Sequence, residues 1–140
     1  MMRTMTSPRT HLKELVGEWK GNGTMTVHGD SLPITGHWHN ELIAASYGVL
    51  CQVRLTGIPG AEEFVECDQI GYDDLEQQFH MGSVCNFGET HDLRGDWQDE
   101  QLLVKDDRMS YEIRVVSPEH LKVRVVNAGG GPVFDMDFEK

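Results

Sequence analysis

Leu12-Lys13-Glu14-Leu15-Val16-Gly17-Glu18-Trp19-Lys20-Gly21-Asn22-Gly23 changes its periodicity halfway along, at Gly17. Before Gly17 the apolar residues Leu12, Leu15 and Val16 stand three and four apart, the spacing of one helical face. After it the period is two. Trp19, Met25 and Val27 alternate with Glu18, Lys20 and Thr24, as in a strand with one buried face. Ser7-Pro8 offers an N-cap and a proline for the first helical position, and Gly17 can adopt the left-handed backbone that stops a helix. A helix over about residues 8–16 is too short to hold by itself and must pack on something. The open end of a barrel is the natural seat. Gly21 and Gly23, on the inward face of the strand, predict strong bending or the close approach of another group.

The rest of the chain keeps the two-residue period. A second strand runs from about Ile34 to Ala44, with Ile34, Gly36, Trp38, Asn40 and Leu42 as the inward set and His37, His39 and Glu41 on the other face. A third spans Tyr47 to Thr56 and turns Tyr47, Val49, Cys51, Val53 and Leu55 inward. The fourth, about Glu63 to Tyr72, is ambiguous, with Phe64, Glu66, Asp68, Ile70 and Tyr72 set against Val65, Cys67, Gln69 and Gly71. Gln77–Asn86, Glu89–Trp97, Gln101–Lys105, Met109–Val116, Leu121–Val126 and Val133–Phe138 complete the series, separated by turn residues such as Asp73-Asp74 and Ser117-Pro118-Glu119. No helical pattern interrupts them, so parallel crossovers are excluded. The expectation is an all-β, antiparallel up-and-down barrel of roughly eight to ten strands, a single domain over residues 1–140, with the short N-terminal helix closing one end.

Composition narrows the function. Twenty-three acids against 12 Lys and Arg give a net charge of -11, a field that repels phosphate backbones and anionic lipid. No nucleic-acid or membrane partner is expected. No run approaches the roughly 18 apolar residues of a membrane span, and Met1–Pro8 lacks the apolar core of a signal peptide. Cys51, Cys67 and Cys85 are odd in number and widely spaced, which fits reduced thiols in a cytoplasmic protein. A homodimer is compatible with the pattern but not encoded in it.

The helix leading into Gly17-Glu18-Trp19 resembles the start of the calycins, the lipocalins and fatty-acid-binding proteins. The stretch Leu12 to Gly23 is similar to two bacterial groups within that range: nitrobindin, and an uncharacterised lipocalin-like family with a Gly-Tyr-Asp hairpin, here Gly71-Tyr72-Asp73-Asp74. The resemblance implies a barrel around a cavity. In nitrobindins it further implies haem on a late-strand histidine. Here the last two strands, Leu121–Val126 and Val133–Phe138, contain none, and His120 stands at a strand edge. No cofactor is therefore expected.

Three functional readings follow. The first is binding of a small, mostly apolar and neutral molecule in a cavity lined by Trp19, Met25, Trp38, Asn40, Tyr47, Met81, Tyr111, Phe134 and Met136, with Asn40 as polar anchor. The second is an enzyme, an isomerase, cyclase or hydrolase, with Glu66, Asp68 and His91 as acid–base groups. Inward placement of those three would favour it. The third is a metal or haem barrel, with His37, His39 and Glu41 joined by His80 or His91. The first two histidines fall on the outward face, and no metal site is assigned. Arg54 and Arg124 also read as outward, which leaves no inward cation for an anionic ligand. Haem titration followed by absorbance should accordingly give no saturable Soret shift at stoichiometric haem; a tight complex abolished by replacing one histidine would contradict this reading.

Overall fold

In the computed structural model, which describes residues 7–140, ten antiparallel strands close into one barrel in sequence order. They are β1 (Gly17–Val27), β2 (Asp30–Ile43), β3 (Gly48–Thr56), β4 (Phe64–Asp73), β5 (Gln78–Cys85), β6 (Thr90–Gln98), β7 (Gln101–Lys105), β8 (Met109–Ser117), β9 (His120–Asn127) and β10 (Val133–Glu139). β1 pairs with both β2 and β10, so the ring has no free edge. Met1–Thr6, most of the stretch read for a leader, lies outside the described residues. No helix among the described residues is long and apolar enough to cross a membrane.

The short helix expected over about residues 8–16 is Pro8–Leu15, a 3-10 helix that forms the plug. With three residues per turn, Leu12 and Leu15 fall one above the other, and both are fully buried. Val16 is the C-cap and has left the helix for extended backbone. Ser7 Oγ accepts from the Arg9 N–H at 3.3 Å. The Leu15 carbonyl, orphaned at the helix end, accepts two side-chain bonds: from the Trp19 indole N–H at 3.0 Å and from the Asn40 amide at 2.8 Å. At the other side of the plug, the Arg9 guanidinium donates to the Tyr72 carbonyl at 3.2 Å and to the Asp74 carboxylate at 2.8 Å. His11 stacks on Trp97, with ring centroids 4.7 Å apart.

Turn chemistry sets the registers. His28 and Gly29 both take positive φ, 51° and 82°, and form the two-residue turn that suits the twist of a hairpin. Val27 therefore pairs with Asp30 and β2 begins earlier than Ile34. At the far end of β2, Ala44, Ala45 and Ser46 all have positive φ. That turn carries Tyr47 out of the strand. It is 61% exposed and stands under Arg9, 4.5 Å from guanidinium carbon to ring centroid. The inward placement expected for Tyr47 is thus corrected.

Gly21 bears out the expectation of close approach. A Cβ there would stand 2.5 Å from the Phe138 ring, which lies across the glycine and reaches Trp38, ring centroids 5.1 Å apart. Trp19, Trp38, Phe79, Met81 and Leu93 fill the barrel between this point and the plug, all essentially buried. If the plug end depends on Trp19 for both packing and its N–H, denaturant melts of Trp19→Ala should show a loss of about 3–5 kcal/mol. Trp19→Phe, which keeps a ring but not the donor, should lose less. A loss under about 1 kcal/mol for the alanine variant would show that Trp19 does not hold this end together.

Candidate ligand cavity

Antiparallel order puts the start of β1 and the plug at one end of the barrel, and the ends of β3, β5 and β9 at the other. At that second end lies a cavity of about 580 Å³, within the usual range for small-molecule sites. Its wall on one side comes from Val53 and Leu55 of β3, Phe64 and Glu66 of β4, and Cys85 of β5. The opposite wall is Tyr111 of β8, Val123 and Val125 of β9, and Phe134, Met136 and Phe138 of β10. Phe87, Glu89, Asp107 and Arg108 form the rim. Phe64 and Phe87 meet edge to face, with centroids 5.2 Å apart.

The cavity follows from alternation along each strand, and β4 shows why the registers were needed. Its own sequence left its faces undecided. In the barrel Val53 pairs with Glu66, Cys51 with Asp68 and Val49 with Ile70. Facing pairs share a side of the sheet, so the strongly apolar inward face of β3 carries Glu66 and Asp68 in with it. Asp68 in turn pairs with Ser83, and Ser83 with His91. One row of inward positions therefore reads Cys51, Asp68, Ser83, His91, directly beside Glu66.

Asp68 is 1% exposed, and neither of its carboxylate oxygens has a hydrogen-bond donor. Its polar neighbours are the Glu66 carboxyl and the Ser83 hydroxyl. Burial, and then the adjacent Glu66, push Asp68 well above the ordinary carboxylate range. Burial raises Glu66 as well, while Asp68 and Ser83 favour its ionised form. The two carboxyls lie side by side, and burial together with their proximity favours sharing a proton between them. Burial also raises the Tyr111 phenol, with Asp68 and Glu66 close enough to add to it. His91 is held at the rim: Nδ1 stands 3.3 Å from Asp106 Oδ2 and Nε2 3.4 Å from Glu89 Oε2. Burial would lift Asp106, but the N–H groups of Arg108 and Met109, with His91, hold it below the usual range.

Of the nine residues expected to line a cavity, Tyr111, Phe134 and Met136 do so. Met25 is buried beside Phe134 without reaching the space. Trp19, Trp38 and Met81 are packed into the plug half, and Tyr47 is on the outside. Asn40 is inward and buried outside the cavity lining; its amide N–H donates to the Leu15 carbonyl, while its amide oxygen has no hydrogen-bond partner. Val53, Leu55, Val123, Val125 and Phe138 carried an inward signal in their alternation. What single-strand patterns lacked was which end of each strand meets solid packing.

Glu66, Asp68 and His91 come together. The histidines do not. His39 lies on the outer face against Glu18, 2.7 Å away, and near Glu41. His80 meets Glu76 at 2.8 Å, and with Asp73 the three donor atoms fall within 4.8 Å. Asp73 Oδ1 already accepts the N–H groups of Leu75 and Glu76 as a turn-former. Arg54 and Arg124 are outside, paired with Glu63 and Asp135.

No protein-family model matches the chain, and no curated protein matches it. Among solved structures it is similar to a redesigned β-barrel, mFAP0, bound to DFHBI, with a TM-score of 0.56 at 13% identity over 91% of this chain and 99% of that one. A second redesigned barrel, mFAP1, also bound to DFHBI, gives 0.56 at 14% over 93% and 98%. A third, b11L5F_LGL, gives 0.57 at 12% over 93% and 94%. These likenesses establish the barrel fold.

The carboxyl pair has a measurable signature. Folded Asp68 keeps a proton that the unfolded chain has lost, so the folded state binds more protons and stability falls as pH rises. The window opens near the unfolded value of about 4 and closes where folded Asp68 ionises. The upward shift of Glu66 has the same sign. Melts between about pH 5 and 8 should show wild type losing up to about 1.4 kcal/mol per pH unit relative to Asp68→Asn. A gap that does not change with pH would mean that Asp68 is ionised in the fold.

Proposed function

We propose that this protein is a calycin-like binding barrel that holds one small, mostly apolar, non-anionic molecule in the cavity opposite the plug. The observation that carries the reading is a 580 Å³ space walled by Val, Leu, Phe and Met side chains with a few polar groups converging on it. Aromatic and thioether walls suit flat or flexible apolar bodies, because both give large adaptable contact area. The acidic surface and the inward Glu66 disfavour an anion. Barrels of the same fold, mFAP0 and mFAP1, are bound to the small molecule DFHBI, which supports this use of the architecture. Three unpaired thiols support a reducing, cytoplasmic setting.

A second reading is favoured by the inward row that contains Asp68, Ser83 and His91 beside Glu66. A protonated carboxyl next to an ionised one is an acid and a base in one site. Such a protein would act chemically on what it binds. Solvent deuterium built into an extracted ligand by wild type but not by Asp68→Asn would separate catalysis from plain binding.

Nile red, a neutral apolar probe, tests the lead reading. Wild type should bind it saturably, one per chain, with a blue-shifted emission. Val123→Trp fills the cavity from the β9 wall and should weaken binding at least about tenfold, ~1.4 kcal/mol. Tyr47→Ala, on the outer surface, should leave the affinity where it was. Equal binding by Val123→Trp, with its circular dichroism retained, would place the probe elsewhere and overturn the reading.

A further inference from the structure

The polar groups of the cavity are arranged unevenly. The wall made by β8, β9 and β10 presents Tyr111, Val123, Val125, Phe134 and Met136, with no charge among them. The opposite wall presents Glu66, with Asp68 behind it on the same face of β4. Of the other carboxylates close to the cavity, Glu89 and Asp106 have partners and Asp107 is exposed. Glu89 and Asp106 hold His91, and Asp106 also receives the N–H groups of Arg108 and Met109. Asp107 stands exposed at the rim, where water serves it. Among the described residues, neither Glu66 nor Asp68 takes part in any ion pair, and both Asp68 oxygens lack a donor.

A proton shared by the two carboxyls removes one negative charge and leaves the other. That remaining carboxylate faces an apolar space, where an uncompensated charge is costly. The basic groups nearby are engaged. Both ring nitrogens of His91 are turned to acids. Arg108, on the exposed rim, donates to the Thr90 carbonyl at 3.0 Å and lies 3.5 Å from His91 Nδ1. Glu66, with the Asp68 and Ser83 side chains beside it but no ion-pair partner among the described residues, is open to a cationic donor from the cavity side.

We propose that the molecule held in this cavity is an amphiphilic amine, its ammonium group donating to the Glu66 carboxylate and its apolar body lying against Val123, Val125, Phe134 and Met136. This rests on the binding reading above and specifies its ligand class. The ammonium supplies three donors and a charge to a carboxylate that has no arginine, lysine or histidine in ion-pair distance among the described residues. The cavity wall opposite requires only an apolar chain or ring. A metal ion fits less well, since it needs three or four converging ligands, and the metal-type side chains that converge among the described residues, Asp73, Glu76 and His80, lie away from this space. A fatty carboxylate would need the guanidinium at the rim and would set its charge against Glu66.

The test uses three molecules that share one chain and differ in the head group: decylamine, 1-decanol and decanoate. Each competes with Nile red on the full-length protein at neutral pH and below its aggregation threshold. Decylamine should displace the probe at a concentration at least about tenfold lower than decanol, with decanoate weakest. Glu66→Gln keeps the shape of the side chain and removes its charge, and it should bring decylamine down to the level of decanol. Displacement by decanol from that variant serves as the check that it folds. Amine and alcohol of equal strength on wild type would overturn the proposal and leave the binding reading standing. An amine advantage that survives in Glu66→Gln would trace to the acidic exterior and overturn it equally. Decanoate as the strongest competitor would move the anchor to Arg108. Failure of all three to displace Nile red would remove the binding reading together with this one.

Discussion

The carbonyl of Leu15 is the point on which the plug end of the barrel depends. A helix this short ends with unsatisfied carbonyls, and one of them is buried. Two side chains reach it, the Trp19 indole from β1 and the Asn40 amide from β2. Leaving such an acceptor without donors in the interior costs about 1–3 kcal/mol. The two bonds therefore fix where the plug sits as well as that it sits. Once it is in place, Leu12 and Leu15 complete the packing above Trp19 and Trp38, and that half of the barrel is solid. The cavity lined by Val53, Tyr111, Val123 and Phe134 lies in the other half.

Phe138 marks the boundary between the halves. Its ring can lie across β1 only because Gly21 has no side chain, and from there it meets Trp38. The cavity begins on its other side. A ten-strand ring is wide enough to leave space inside unless large side chains fill it. On the open side the inward positions are Val, Leu and Phe on one wall and Tyr, Val, Phe and Met on the other, which leave room, while Glu66 and Asp68 break the apolar lining at one place. A pair of carboxyls that must share a proton is tolerated there because the pair as a unit carries a single charge.

The two motifs that stood out along the chain prove to be parts of one joint. The stretch from Leu12 to Gly23 supplies the plug and the first strand, and Gly71-Tyr72-Asp73-Asp74 supplies its receptor. Arg9 ties them by donating to the Tyr72 carbonyl and the Asp74 carboxylate. Tyr47, which continued the alternation of β3 so well that it read as cavity wall, is drawn into the same joint on the outside. Three successive residues at positive φ ended the period-two pattern before it. Alternation shows which residues share a face, but it does not report where a turn takes a residue off the sheet.

What the order of residues determined by itself was the barrel, the plug and the inward set of most strands. These are local properties: a strand has period two, a helix about three to four, and a turn needs residues that accept its dihedrals. It also placed Glu66, Asp68 and His91 in one candidate group, without saying whether they faced inward. Only the tertiary structure decided that. The faces of β4 were undecided because two acids and one cysteine balance the pattern, and pairing with the apolar face of β3 settled them. The position of the plug likewise left Trp19, Trp38, Asn40 and Met81 buried in its half of the barrel, outside the cavity lining. Both decisions depend on contacts between residues far apart in the chain, and the spacing of neighbours along a strand carries no record of them.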